Sequence, residues 1–177
     1  YAVDLMAELL EEWCIERALV HGGFSSVIAL EGPADRDGWP LTLSDPASPS
    51  TVLASLSARQ TALGASGLRT GDHIVDPRTG RPVRGRRAAW AAVPRPEPAG
   101  AGEQMADRPR LAPAAVADAL TTAFMLLRPR DIGTLCERNP GLEAWILPAR
   151  AASSREGPGL RHFGGSLPGS PSAMRRP

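Results

Sequence analysis

Residues 71–83 read GDHIVDPRTGRPV. A histidine, two aspartates and two arginines share that stretch, which two glycines and two prolines punctuate. His73 stands just before an apolar pair and close to two carboxylates. Imidazole titrates near neutral pH, so a histidine there has the chemistry of a general base. A plainer reading of Asp76-Pro77-Arg78-Thr79-Gly80 is a turn that ends a strand, in which Asp caps the backbone, Pro sets φ and Gly permits φ > 0. A second group is ADALTTA, residues 117–123. Asp118 and Thr122 are four apart on a predicted helix and share a face. A carboxylate and a hydroxyl on one face can give two oxygens to a hard cation such as Mg²⁺. The alternative is an exposed Asp and a Thr bonded back to its own helix. A third group is GASG, residues 64–67, at the end of a predicted strand. It reads either as an ordinary turn or as a row of backbone N–H groups that cradle a phosphate.

These groups need a scaffold. YAVDLMAELLEEWCIERA predicts an opening helix, with Val3, Met6, Leu10 and Trp13 inward, beside Leu9 and Cys14. ALVH and SSVIALE predict two strands joined by the Gly22-Gly23 turn. WPLTL predicts a short strand, DPASPS a loop, and TVLASLS with QTALGAS a further strand pair. HIV is expected to end the next strand, and RAAWAAV to form another. Residues 94–113, rich in Pro, Ala and Gly, predict a long loop. APAAVADALTTAFMLL predicts a helix with Val116, Leu120, Ala123, Phe124 and Leu127 on one face. RDIGTLCERNP predicts a short helix and LEAWILP a closing strand. The pattern is α+β, with one domain over residues 1–150 and a disordered tail from 151 to 177, where His162 lies. Trp13, Trp39 and Trp145 read as core, and His21 as a residue beside a turn.

Composition sets limits. The chain has 177 residues and a net charge of +1, which gives no overall reason to expect nucleic acid or an anionic membrane as partner. All 20 basic residues are arginine. Without lysine there is no Schiff-base chemistry, no Ser-Lys dyad and no Walker-type phosphate loop. Arg78, Arg81, Arg84, Arg86 and Arg87 lack interleaved aromatics and read as a solvated loop. Cys14 and Cys136 lack ligand-spaced neighbours and read as two buried thiols. No apolar run is long enough to span a bilayer, and no signal peptide is visible. The chain opens on Tyr1 inside a helical pattern, which reads as a piece of a longer protein.

The order of the motifs resembles the ApbE-type flavin transferases (FAD:protein FMN transferases). The matching pieces are YAVD at 1–4, ALVHGGFSSVIAL at 18–30, GASG at 64–67, GDHIVDPRTGRPV at 71–83 and ADALTTAF at 117–124. The resemblance runs to about residue 148 and corresponds to the C-terminal part of a family member. It implies a layered α+β sandwich of mostly antiparallel sheet with helices, related to the tunnelling folds. It implies Mg²⁺-dependent transfer of the FMN moiety of FAD to a Thr or Ser hydroxyl of an acceptor protein, with release of AMP. By the same resemblance Asp118 and Thr122 would be metal ligands. His73 and Asp76 would stand near the pyrophosphate and the incoming hydroxyl. Thr79 and Gly80 would shape that pocket, and Ser66 and Gly67 would line the nucleotide site. Two alternatives stay open: a hydrolase that splits FAD into FMN and AMP, and a non-catalytic flavin-binding or scaffold remnant. The family's usual place is the periplasmic or outer face of the bacterial cytoplasmic membrane, with the cytoplasm also open.

Overall fold

The computed structural model describes residues 1–96, 112–149 and 159–165. Its centre is a six-stranded antiparallel sheet in the order β1-β2-β5-β8-β9-β10. The strands are β1 (Leu19–His21), β2 (Ser26–Ala29), β5 (Thr61–Gly67), β8 (Arg86–Pro94), β9 (Glu143–Pro148) and β10 (Arg161–Phe163). A hairpin of β3 (Trp39–Asp45) and β4 (Ser48–Ala58) covers one face. Helices α1 (Ala2–Glu12), α2 (Pro113–Phe124) and α3 (Pro129–Arg138) cover the other. A small hairpin of β6 (Val75–Asp76) and β7 (Arg81–Pro82) completes the fold. The expected layered α+β sandwich is the observed one.

Strand β8 shows why the sheet sits in the middle. Its residues Ala88, Trp90 and Ala92 point to the hairpin layer, and Ala89 and Ala91 to the helices. Both faces are buried, so RAAWAAV is apolar without alternation. The alanines on the helical side let α2 lie close. On that side Ala117, Phe124, Ile132 and Cys136 meet Ala89, Ala91, Ala144 and Ile146. On the other, Leu41, Leu43 and Ala58 meet Val27, Leu63, Trp90 and Trp145.

Several expectations are corrected. The first helix stops at Glu12, and Cys14 follows with φ +57, exposed rather than buried. Val3, Asp4 and Ala7 are the buried residues of α1, while Met6, Leu9 and Trp13 are exposed. Trp145 is core, and Trp39 packs partly buried against it. Strands β4 and β5 do not pair with each other, because the chain changes layer between them at Gln60, whose φ is +46. DPASPS is the tight end of the β3–β4 hairpin, where Ala47 N–H donates to Asp45 Oδ1 (2.9 Å). Part of the tail is ordered: β10 pairs with β9, with His162 opposite Trp145. The His162 ring stacks on Trp145 (4.9 Å) and Nε2 lies 2.7 Å from the buried Glu143 carboxylate. Of the 94–113 loop, β8 takes Pro94 and α2 takes Pro113, and 97–111 lie outside the described residues. So do 150–158 and 166–177 of the tail.

Two contacts seat α2. Its own N-terminus has no side-chain cap, and Asp4 of α1 supplies one from a distance. Ala114 N–H and Ala115 N–H donate to Asp4 Oδ1 and Oδ2 at 2.8 and 3.0 Å, which satisfies orphan donors and places a negative group at the positive end of the helix dipole. Gly64 of β5 supplies the other. A Cβ there would lie 2.7 Å from Ala117 C, 2.8 Å from Ala117 O and 2.9 Å from Asp118 N, so the helix backbone rests directly on the strand.

Candidate functional site

Close approach at Gly64 brings three hydroxyls together where β5 meets α2. Ser66 Oγ lies 2.8 Å from Thr121 Oγ1 and 3.3 Å from Thr122 Oγ1. Thr121 Oγ1 donates to Asp118 O at 2.8 Å, and Thr122 Oγ1 to the same carbonyl at 3.5 Å. Asp118 and Thr122 are exposed, whereas Thr121 is fully buried. Ser66 and Thr122, singled out from two separate sequence patterns, therefore meet in one corner, and Asp118 joins them through its backbone carbonyl. Thr121 was missed. Its signal was its place beside Thr122, but no pattern says which of two adjacent threonines faces the strand.

Gly67 and the rest of GASG are not a turn. Gly64 to Gly67 are strand residues paired with Ala91, Trp90, Ala89 and Ala88 of β8, so their backbone serves the ladder. The same end of the sheet gathers the neighbouring motifs. Ala65 N–H donates to Ser25 O (2.8 Å), and Arg69 lies over the Phe24 ring at 4.7 Å.

From Gly67 the chain passes through one 3-10 turn, Leu68–Thr70, to the loop that carries His73. His73 thus precedes β6 instead of ending a strand. Its Nδ1 is 3.0 Å from Gly71 O. A carbonyl only accepts, so Nδ1 carries the hydrogen in this contact. Ile74 and Ala117, the chain neighbours of His73 and Asp118, belong to one buried cluster, which ties the loop to α2.

Asp76 organises its own turn. Its Oδ1 accepts from Arg78 N–H (2.9 Å) and Nε (3.0 Å), and its Oδ2 accepts from Arg78 Nη2 (2.9 Å). Hydrogen bonding from Arg78 holds its carboxyl below the usual carboxylate range. Thr79 Oγ1 accepts from Arg81 N–H at 3.3 Å. Gly80 has φ +64 and donates to Asp76 O (2.8 Å), a conformation that favours glycine. Asp76 and Thr79 face an open cleft of about 450 Å³ that also reaches Arg86, Leu126, Ile146 and Arg161. The sequence-derived residues therefore fall into two neighbouring groups: the oxygen cluster on β5 and α2, and the turn beside the cleft.

A magnesium site suits the first group in donor chemistry. Asp118 and Thr122 present a carboxylate and a hydroxyl, hard oxygens of the kind Mg²⁺ takes, and that ion needs few protein ligands when phosphates and water supply the rest. Among the described residues no three His, Cys, Asp or Glu side chains group to hold a metal on their own. Cys136 is buried in the core, and burial pushes its thiol pKa up.

Known proteins share a sequence profile and a fold with this chain. The sequence profile described as the ApbE family matches residues 1–101. No curated protein matches the chain. Solved structures do. The ApbE protein of Thermotoga maritima is 20% identical, with 92% of this chain and 48% of that one covered and a TM-score of 0.66. The Pseudomonas stutzeri flavinyl transferase ApbE, apo form, is 23% identical, with 94% and 49% covered and a TM-score of 0.60. The Vibrio cholerae flavin transferase ApbE is 19% identical, with 93% and 47% covered and a TM-score of 0.58. The chain spans a little under half the length of these structures.

Proposed function

Since the chain belongs to the ApbE family, we propose that it serves an FAD:protein FMN transferase, moving the FMN moiety of FAD onto a Thr or Ser hydroxyl of an acceptor protein with release of AMP. One observation carries the reading: the hydroxyls of Ser66, Thr121 and Thr122 meet over the backbone carbonyl of Asp118, and the loop of His73 leaves the same strand end. Asp118 and Thr122 would hold Mg²⁺, which when bound neutralises charge that builds on a pyrophosphate. The remaining work belongs to the chain's own groups. His73, on the loop where its Nδ1 lies 3.0 Å from Gly71 O, would take the proton of the attacking hydroxyl. Asp76 and Gly80 keep the turn stiff, so the base is held in position. Ser66 lines the nucleotide side of the corner, and Thr79 the cleft beside it.

A second reading is flavin binding without turnover. It is favoured by Thr122, whose hydroxyl is bonded back to its own helix at Asp118 O (3.5 Å). Incubation of the chain with FAD, Mg²⁺ and a Thr-bearing acceptor peptide separates the two. Transfer yields AMP and a peptide heavier by one FMN. FMN and AMP without peptide modification indicate a hydrolase. FAD binding by calorimetry with no AMP release selects the binding reading and overturns the catalytic one. In the transferring case, Asp118→Ala abolishes Mg²⁺-dependent AMP release; unchanged release removes Asp118 from the metal site.

A further inference from the structure

Arg86 and Arg161 stand on either side of β9, opposite Pro148 and Ile146. Two strand spacings and a two-residue offset along β9 separate their backbones by roughly 12 Å, and both side chains line the same cleft. Both face the helical layer. Arg86 Nη2 donates to Leu127 O just past the end of α2, and Arg161 lies across from Ile146 of the core on that side. A β-bulge between Arg86 and Ala88 makes this arrangement. It puts Arg87 on the hairpin side beside Ala88, where it meets Asp45 (2.8 Å), and so turns Arg86 to the helical side and the cleft.

Arg86 Nη1 is shut off from solvent and has no hydrogen-bond partner among the described residues. The carboxylates of the surrounding loops are engaged elsewhere: Asp76 with Arg78, Asp72 with Arg84, and Asp131 with Arg128. Burial, and then the charge of Arg161, hold the Arg86 guanidinium below its ordinary pKa. A desolvated donor beside a second like charge is the arrangement that an oxyanion completes, because the forked guanidinium matches its oxygens.

We propose that the Arg86–Arg161 cleft is an oxyanion subsite for a phosphate group, to which the Arg86 and Arg161 guanidiniums donate. At about 450 Å³ the cleft exceeds a phosphate ion and falls within the size range of small-molecule sites. Leu126 and Ile146 offer an apolar wall to whatever the phosphate is attached to. A nucleoside monophosphate and free inorganic phosphate share this chemistry.

Calorimetric titration of the full chain with inorganic phosphate, and separately with AMP, tests the site. FAD and Mg²⁺ are left out, so the result is independent of the flavin-transfer reading, and the Asp118→Ala chain is expected to bind phosphate as the parent does. Arg161 is exposed, so Arg161→Glu leaves the core intact, and circular dichroism checks that it does. This substitution is expected to weaken phosphate binding by about tenfold or more, the loss of one charge-assisted contact. Arg86→Lys keeps the charge, loses the fork and also weakens binding. Tighter binding of AMP than of phosphate supports the site and assigns it to a nucleotide; equal binding supports it and assigns it to free phosphate. Failure of the folded parent to bind either, or parental affinity in Arg161→Glu, overturns the proposal.

Discussion

Gly64→Ala is the sharpest test of how the site is built. A Cβ at this position lies 2.7 Å from Ala117 C, and to reach 3.4 Å, the inner edge of ordinary contact, the helix backbone must retreat by about 0.7 Å. Flexible side chains can step aside, but here the three nearest atoms are all backbone of α2. A retreat of that size stretches the 2.8 Å Ser66–Thr121 hydrogen bond past useful length. Overpacking of this kind costs about 1–3 kcal/mol, and the lost hydrogen bond about 1 more. A smaller loss of unfolded-chain entropy offsets about 0.4–1 kcal/mol of that. The net is a destabilisation of about 2 kcal/mol, or roughly 4–8 °C in Tm for a chain of this size. The control is Gly85→Ala, where an added Cβ meets nothing within 4 Å; its Tm is expected to stay with the parent. Thermal unfolding followed by circular dichroism reads both. Equal melting of Gly64→Ala and Gly85→Ala would refute the claim that close contact at Gly64 seats α2.

Other substitutions probe separate parts of the same argument. Asp4→Ala removes the cap that α1 provides to α2 and is expected to cost about 1–2 kcal/mol in urea unfolding; an unchanged midpoint would mean the α2 N-terminus finds other partners. His162→Ala leaves the buried Glu143 carboxylate without its partner and Trp145 without its stacked ring. The expected loss is about 1–3 kcal/mol, whereas no change in Tm would show that β10 adds nothing to the core. His73→Ala is expected to slow transfer by about 10²–10⁴-fold with FAD affinity little changed; if affinity alone falls, His73 is a binding group. Because Arg78 holds the Asp76 pKa below its usual 3.8, the order of the turn is complete above that pH. It is lost only as pH falls through the lower folded-state value. Amide NMR of Arg78 on acidification reads this, and a transition centred above pH 3.8 would contradict it.

The local elements were largely legible in the chain. Runs such as SSVIALE, RAAWAAV and LEAWILP are apolar over strand length, and Pro113 and Pro129 mark the first turns of α2 and α3. The turn at Asp76–Gly80 was legible too, since Asp, Pro and Gly at those offsets leave few other conformations. Where periodicity alone was the guide, it misled. The apolar face of α1 counted through Met6, Leu9 and Trp13, yet the sheet takes Val3 and Ala7, and those larger residues stay exposed. Small residues do not announce burial; they are buried because something must come close. The tail was misread for a related reason. Arg161–Phe163 is too short and polar to signal a strand, and it becomes one because β9 has an open edge, with Trp145 and Glu143 waiting for His162.

By itself, the order of residues determined which chemistry was available: one histidine on a stiff bend, a carboxylate and a hydroxyl one helical turn apart, and cations that are all arginine. Only the tertiary structure decided which of them meet. Ser66 reaches Thr121 and Thr122 across more than fifty residues because Gly64 has no side chain. Arg86 lies across β9 from Arg161 because of a one-residue slip in register. Distances of that kind depend on layers packing to atomic contact, a property of the assembled sheet and helices that no single stretch of sequence holds.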